Sequence, residues 1–235
     1  MLNRIGNILE NGLDVIFPTL CHICFENPIS KHTDNYFCVS CHFALPYTDH
    51  FENRENLLMS HFYGRLRLEY AASLLYFSEG SLVQKLLHNL KYKGIKEVGH
   101  QAGAVGGMKI YQSKIFQDAD CMVPVPIHSK KIITRGYNQS EVIAEGIHEE
   151  TNIPILRNAI IKKSETSSQT NKSRTDRLDN VEGVFKVVKP ESVVGKNILI
   201  VDDVVTTGAT IESLGKELIA SGANKLYLFS VALAV

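Results

Sequence analysis

The chain has 235 residues, 44% of them hydrophobic and 21% charged, with 25 basic side chains set against 25 acidic ones. This length accommodates one α/β domain with a small appended module. The neutral balance excludes a general electrostatic pull toward nucleic acid or membrane, so any anion site must be local. No apolar run approaches the ~18–20 residues of a membrane span. Arg4, Glu10 and Asp14 interrupt the N-terminal apolar stretch, which is therefore not read as a signal peptide. The expected compartment is the cytoplasm, where closely paired cysteines indicate a metal site rather than disulfides.

In chain order, Leu2, Ile5, Leu9, Leu13 and Ile16 recur at helical spacing and stop before Pro18, predicting an amphipathic helix that docks on the rest of the protein. Cys21-His-Ile-Cys24 and Cys38-Val-Ser-Cys41 follow as two C-x2-C knuckles with thirteen residues between them. Each knuckle places two thiolates on one tight turn, and two knuckles complete a tetrahedral Zn2+ site. With four protein ligands that site has no open position for water, so its expected role is structural. His22, His32 and His42 are alternative ligands that the four cysteines make unnecessary, and they are expected to face solvent.

The polar stretch Pro46–Asn56 marks the end of this module, giving an expected division into 1–50 and 51–235, with a hood or helical part over 57–118 and a core sheet over 119–235. Ala71–Phe77 reads as a strand. Leu82–Leu90 reads as a helix that ends in Lys91-Tyr-Lys-Gly94, with His88 and Tyr92 expected to pack against it. Further on come an apolar run at Asp120–Val125, with Cys121 as an inert core residue, and a helix at Asn138–His148. Strands are predicted at Val184–Val188, Asn197–Val201 and Leu226–Ala234. Continuous apolar strands separated by helices predict an α/β fold with a parallel sheet covered on both faces, whose ligands bind at the carboxyl ends of the strands.

The segment Ile198–Thr210 carries the chemistry. A buried strand runs into Asp202 and Asp203, then into a turn containing Val204, Val205, Thr206, Thr207 and Gly208, then through Ala209 and Thr210 into a helix with Ile211, Leu214, Leu218 and Ile219 on one face. Free backbone N–H groups and threonine hydroxyls at a helix N-terminus form an anion cradle, and Gly208 permits close backbone approach. The two carboxylates suit vicinal ribose hydroxyls or a Mg2+ ion held between ligand and protein.

The order strand, Asp-Asp, Thr-Thr-Gly-Ala-Thr, helix resembles the phosphoribosyl pyrophosphate motif of type I phosphoribosyltransferases. Val123-Pro-Val-Pro126-Ile-His128, with Lys130, Lys131 and the following Arg135-Gly-Tyr-Asn-Gln139, resembles that fold's pyrophosphate loop and its exit. Thr166-Ser-Ser-Gln169 with Arg174 and Arg177 resembles its flexible active-site loop. Together with the cysteine knuckles and Lys91-Tyr-Lys-Gly94, these segments resemble the ComF family of competence-associated proteins, which includes the GntX type, over nearly the whole chain. The resemblance implies Asp202, Asp203 and Arg135 as the catalytic set, Mg2+ bound with the sugar pyrophosphate, structural zinc, and release of pyrophosphate to an acceptor it does not name. It leaves open a non-catalytic sensor of the sugar pyrophosphate. It also leaves open a competence factor acting on single-stranded DNA or recombination partners, and a homodimer. No membrane partner is expected.

Overall fold

Strands that are apolar on both faces can be buried only in the middle of a layered structure, and the chain arranges them so. The computed structural model describes residues 18–30, 36–163 and 183–235. The N-terminal stripe, His32, Thr166, Gln169, Arg174 and Arg177 therefore lie outside the described residues. Strands β1 (Tyr70–Phe77), β2 (Cys121–Pro124), β5 (Asn197–Val205) and β6 (Lys225–Ala234) form one sheet in the order β1-β6-β5-β2, every pair parallel.

One face of the sheet presents Leu199, Val201, Tyr227, Phe229 and Val231 to α3 (Leu82–Tyr92), α4 (Lys96–Ser113) and α6 (Gln139–Thr151). The other presents Ile198, Ile200, Leu226 and Leu228 to α7 (Ala209–Ala220), through Ile211, Leu214 and Leu218. Leu218 completes that stripe, while Ile219, expected beside it, is 45% exposed. Burial on both faces is the reason these strands read as unbroken apolar runs.

The structure departs from the expected organisation in two places. β1 belongs to the stretch 57–118 assigned to a hood, yet it pairs with β6 as an edge of the core sheet. Its residues are buried from Tyr70 through Leu75, which requires cover on both sides. Val184–Val188, expected in the parallel sheet, instead contributes β4 (Phe185–Val187), which pairs antiparallel with β3 (Ile160–Lys162). The residue pattern explains this: Phe185 and Val187 are buried while Lys186 between them is exposed, the alternation of a ribbon with one wet face.

The helix α4 has only a sparse apolar stripe, Val98, Ala102 and Ile110, and a close approach to α6 adds to what holds it. A Cβ on Gly103 would lie 2.1 Å from the carbonyl oxygen of Ile143, and one on Gly146 would lie 2.1 Å from that of His100. Glycine at both positions lets the two helices meet backbone to backbone.

The cysteine module, with its short helix α1 (Val39–Ala44), is not a separate bead. Cys21, Ile23, Phe37, Cys38, Cys41 and Leu45 share one core with α3, α4 and the sheet. Asn89 Nδ2 donates to the His22 carbonyl at 2.8 Å, and the Tyr36 N–H donates to Gln101 Oε1 at 2.6 Å. Among the described residues no helix is long and apolar enough to cross a membrane.

Candidate functional site

Because the four strands are parallel, Phe77, Pro124, Val205 and Ala234 all end at one edge of the sheet, the edge at which β5 carries Asp202 and Asp203. β5 runs further than its apolar stretch, since β6 continues alongside it and pairs Asp202 with Ser230 and Val205 with Leu233. Asp202, Asp203, Val204 and Val205 are therefore strand residues. The turn proper is Thr206-Thr207-Gly208, and Ala209 and Thr210 open α7. Thr206, Thr207, Ala209 and Thr210 are exposed. The first N–H groups of α7 lack intrahelical acceptors, and the Ala209 N–H reaches Thr207 Oγ1 at 3.5 Å.

Gly208 is required for a reason other than ligand approach. It has φ of +75°, and a Cβ there would lie 2.9 Å from two ring carbons of Phe62. Phe62 follows the short helix α2 (Leu57–Ser60) and backs the turn from behind. Arg65 completes the brace. Its Nη1 donates to the Thr207 carbonyl at 2.8 Å and to the His61 carbonyl at 3.1 Å, while Nε and Nη2 donate to Glu212 Oε2 at 3.0 and 2.7 Å. No local sequence signal marks Phe62 or Arg65, because their partners lie on the far side of the fold. A cavity of about 670 Å3 lined by Arg65, Leu66, Ile219 and Leu226 lies behind this brace and does not reach the acid pair. The placement of polar groups, not cavity size, locates the candidate site.

The two carboxylates occupy different environments. Asp202 Oδ1 accepts from Ser140 Oγ at 3.1 Å and from the Asp203 N–H at 2.9 Å. Burial, and then the charge of Asp203 beside it, push Asp202 up to about 7 against these bonds and the nearby Lys91 charge. Asp203 is 7% exposed, and its Oδ2 meets the Lys91 ammonium at 2.9 Å. Lys91 stands in the last turn of α3, and its sequence position shows only a basic helix end.

After β2, the Val125 N–H extends the pairing to the Val201 carbonyl at 2.9 Å, and Asn138 Nδ2 holds the Val125 carbonyl at 3.0 Å. Pro126 lies in the loop that follows. His128 caps α5 (Ser129–Arg135), its Nδ1 accepting from the Lys130 N–H at 3.1 Å. Lys130 and Lys131 are exposed on that helix, and the Arg135 guanidinium sits 5.6 Å over the Tyr92 ring. Tyr92 is 71% exposed and His88 is also exposed, contrary to the packing role expected of them. The buried stripe of α3 is Val83, Leu86, Leu87 and Leu90, which turns positions 88 and 92 outward. Gln139, beside Ser140, is 2% exposed, and its Nε2 has no partner among the described residues.

In the cysteine module the ligand sulfurs of Cys21, Cys24, Cys38 and Cys41 lie within 4.8 Å of one another, with Cys24 and Cys38 Sγ at 4.0 Å. Bonds of ~2.3 Å to a tetrahedral ion imply sulfur separations of roughly 3.8 Å, so the cluster can hold zinc. Backbone N–H groups already point at the sulfurs, from Ile23 and Cys38 to Cys21 Sγ at 3.4 and 3.3 Å, and from Cys41 to Cys38 Sγ at 3.4 Å. Burial raises the Cys38 thiol, yet the bonds from Cys41 and Asn27 outweigh it and bring the group down to about 7. His22 does not face solvent as expected. It is half-buried, and its ring stacks on Tyr36 with centroids 5.2 Å apart. Cys121 is 7% exposed in β2, and burial pushes its thiol up, as befits an inert core residue.

A family model described as a phosphoribosyl transferase domain matches residues 137–235. Competence protein F of Haemophilus influenzae is 28% identical over 116 residues, covering 49% of this chain and 51% of that protein. Competence protein ComFC of Bacillus subtilis is 27% identical over 149 residues, covering 62% of this chain and 57% of that protein. The chain thus spans little more than half the length of these curated relatives. Among solved structures, the allosteric regulatory enzyme of purine biosynthesis is 24% identical, with a TM-score of 0.41 over 57% of this chain and 26% of that one. With a match to a phosphoribosyl transferase domain on a helix-flanked parallel sheet, a four-cysteine cluster at its N-terminal side, and competence proteins among its relatives, the chain is similar to the ComF family.

Proposed function

We propose that the carboxyl edge of the sheet binds phosphoribosyl pyrophosphate and that the protein transfers its phosphoribosyl group with loss of pyrophosphate. The observation that carries this reading is the juxtaposition of the Asp202–Asp203 pair with a braced anion cradle at Thr206–Thr210, one continuous piece of strand, turn and helix. The N–H groups at the start of α7 and the hydroxyls of Thr206, Thr207 and Thr210 receive the 5-phosphate. Asp202 and Asp203 accept from the ribose hydroxyls, and their oxygens are the donors a Mg2+ ion bound with the sugar pyrophosphate would use, supplying charge neutralisation at the leaving group. Arg135, Lys130 and Lys131 add positive charge on the side of the departing pyrophosphate.

Departure of pyrophosphate leaves positive charge at the anomeric carbon, next to two carboxylates held in fixed positions. Catalysis then comes from orientation and electrostatics, with no protein nucleophile. The cysteine cluster holds zinc in a structural role, its four thiolates leaving no position for water. Relatives named as competence proteins support a role in competence, and we infer that this chain works in the cytoplasm in that setting.

Calorimetry with phosphoribosyl pyrophosphate and Mg2+ tests the reading. Binding to the wild type that is lost in the Asp202→Asn/Asp203→Asn variant supports it, and unchanged affinity in that variant removes the assignment. Pyrophosphate release in a screen of amine and base acceptors separates transfer from binding alone.

A further inference from the structure

Lys91 lies in the Lys91-Tyr-Lys-Gly94 segment, to which the sequence assigns no role at the acid pair, yet its ammonium meets that pair directly. Lys91 Nζ lies 2.9 Å from Asp203 Oδ2, and the two side chains are only 22% and 10% exposed. The end of α3 that carries Lys91 is held from three sides. The Leu90 carbonyl accepts a short hydrogen bond from the Tyr137 hydroxyl. Tyr92 lies under the Arg135 guanidinium. On the cysteine-module side, Asn89 Nδ2 donates to the His22 carbonyl at 2.8 Å and the Lys93 ammonium sits 4.5 Å over the Phe25 ring. An ammonium at the end of a long flexible side chain has thus been aimed at one carboxylate by a rigid support.

We propose that Lys91 is a built-in counter-ion which keeps free divalent cations off Asp202 and Asp203, and which yields the pair only when a sugar pyrophosphate brings anionic oxygens to take over its ammonium. The proposal rests on the reading of the acid pair given above. A divalent ion arriving alone must shed part of its hydration shell, and it must also either displace Lys91 into a poorly hydrated space without a partner or share the pair with a like charge a few ångströms away. Both are costly where solvent screening is weak. A sugar pyrophosphate removes the conflict, because Lys91 exchanges one anionic partner for another. Metal and sugar pyrophosphate are therefore expected to bind cooperatively, with the coupling residing in the Lys91 charge.

The test uses the full chain and Mn2+ as the probe, followed by electron paramagnetic resonance without any sugar. Wild type and Lys91→Arg are expected to bind Mn2+ weakly, and Lys91→Met at least about tenfold more tightly. Adding Asp203→Asn to Lys91→Met is expected to erase the gain, which places it at the acid pair. Lys91→Gln provides a second neutral variant should Lys91→Met not fold, as judged by circular dichroism. Equal Mn2+ affinity in wild type and the neutral variants, or a gain that survives Asp203→Asn, overturns the proposal. A second titration with phosphoribosyl pyrophosphate present reads the coupling, which is expected to shrink about tenfold in Lys91→Met and would count against the proposal if it did not. Failure of the wild type to bind the sugar pyrophosphate would remove the proposed function, while the sugar-free Mn2+ comparison would still judge Lys91 on its own.

Discussion

Gly146→Ala is a small change that the geometry makes large. The new Cβ would stand 2.1 Å from the His100 carbonyl oxygen and 2.7 Å from the Ala104 nitrogen, both backbone atoms of α4. An ordinary carbon-to-oxygen contact is about 3.3 Å or more, so α6 must move away from α4 by roughly 1 Å. Overpacking of this kind costs about 1–3 kcal/mol, and the upper half applies because no flexible side chain can yield. Alanine recovers up to about 1 kcal/mol through its better helix propensity, leaving a net loss of about 1–2 kcal/mol. For a chain of this size that corresponds to a fall in Tm of about 2–8 °C. The same shift disturbs the start of α6, where Ser140 Oγ donates to Asp202 and Asn138 Nδ2 holds the Val125 carbonyl, so affinity for the sugar pyrophosphate should fall as well. Differential scanning calorimetry reads the first effect and a binding titration the second. A Tm equal to or above that of the wild type would refute the packing argument.

Two further outcomes follow from the environments of single groups. Asp202 is held up to about 7 in the fold by burial and the Asp203 charge, against 3.8 for a free side chain, so the native state binds more protons than the unfolded chain between those values. Stability therefore declines as pH rises through that window, by at most about 4 kcal/mol at ~1.4 kcal/mol per pH unit. Asp202→Asn, which keeps an acceptor for Ser140, should be more stable than wild type to urea at pH 8, with the difference closing by pH 4; parallel pH curves for the two proteins would contradict this. In the cysteine module, protein purified without chelators should carry one zinc per chain by elemental analysis. Cys38→Ser should lower both zinc content and Tm, since Cys38 shares its core with α3, α4 and the sheet. Protein that is fully folded and free of zinc would exclude the metal assignment.

Much of the fold was legible in the sequence because it rests on short-range rules. β1, β2, β5 and β6 announced themselves as apolar runs, α3 and α6 as periodic ones, and the cysteine spacing indicated which four residues would come together. Strand, acid pair, threonine turn and helix lie within thirteen consecutive residues, Ile198–Thr210, so local chemistry alone marked the candidate site. Even there, neighbouring structure moved the boundaries, since pairing with β6 drew Asp202–Val205 into β5 and shortened the turn. The helix α4 escaped periodicity because glycines at its contact with α6 dilute its sparse apolar stripe of Val98, Ala102 and Ile110. The strand at Phe185–Val187 left the parallel sheet because only alternate residues are buried.

The sequence by itself determined the types of chemistry present: four thiols at ligand spacing, and two carboxylates beside an anion cradle. Only the tertiary structure decided what each group meets. Lys91 on Asp203, Ser140 on Asp202, and Arg65 with Phe62 behind the Thr206–Gly208 turn all join residues far apart in the chain. Parallel strands impose this division, because each must return to the same edge through a long connection. The carboxyl ends therefore collect side chains that no local pattern relates to one another.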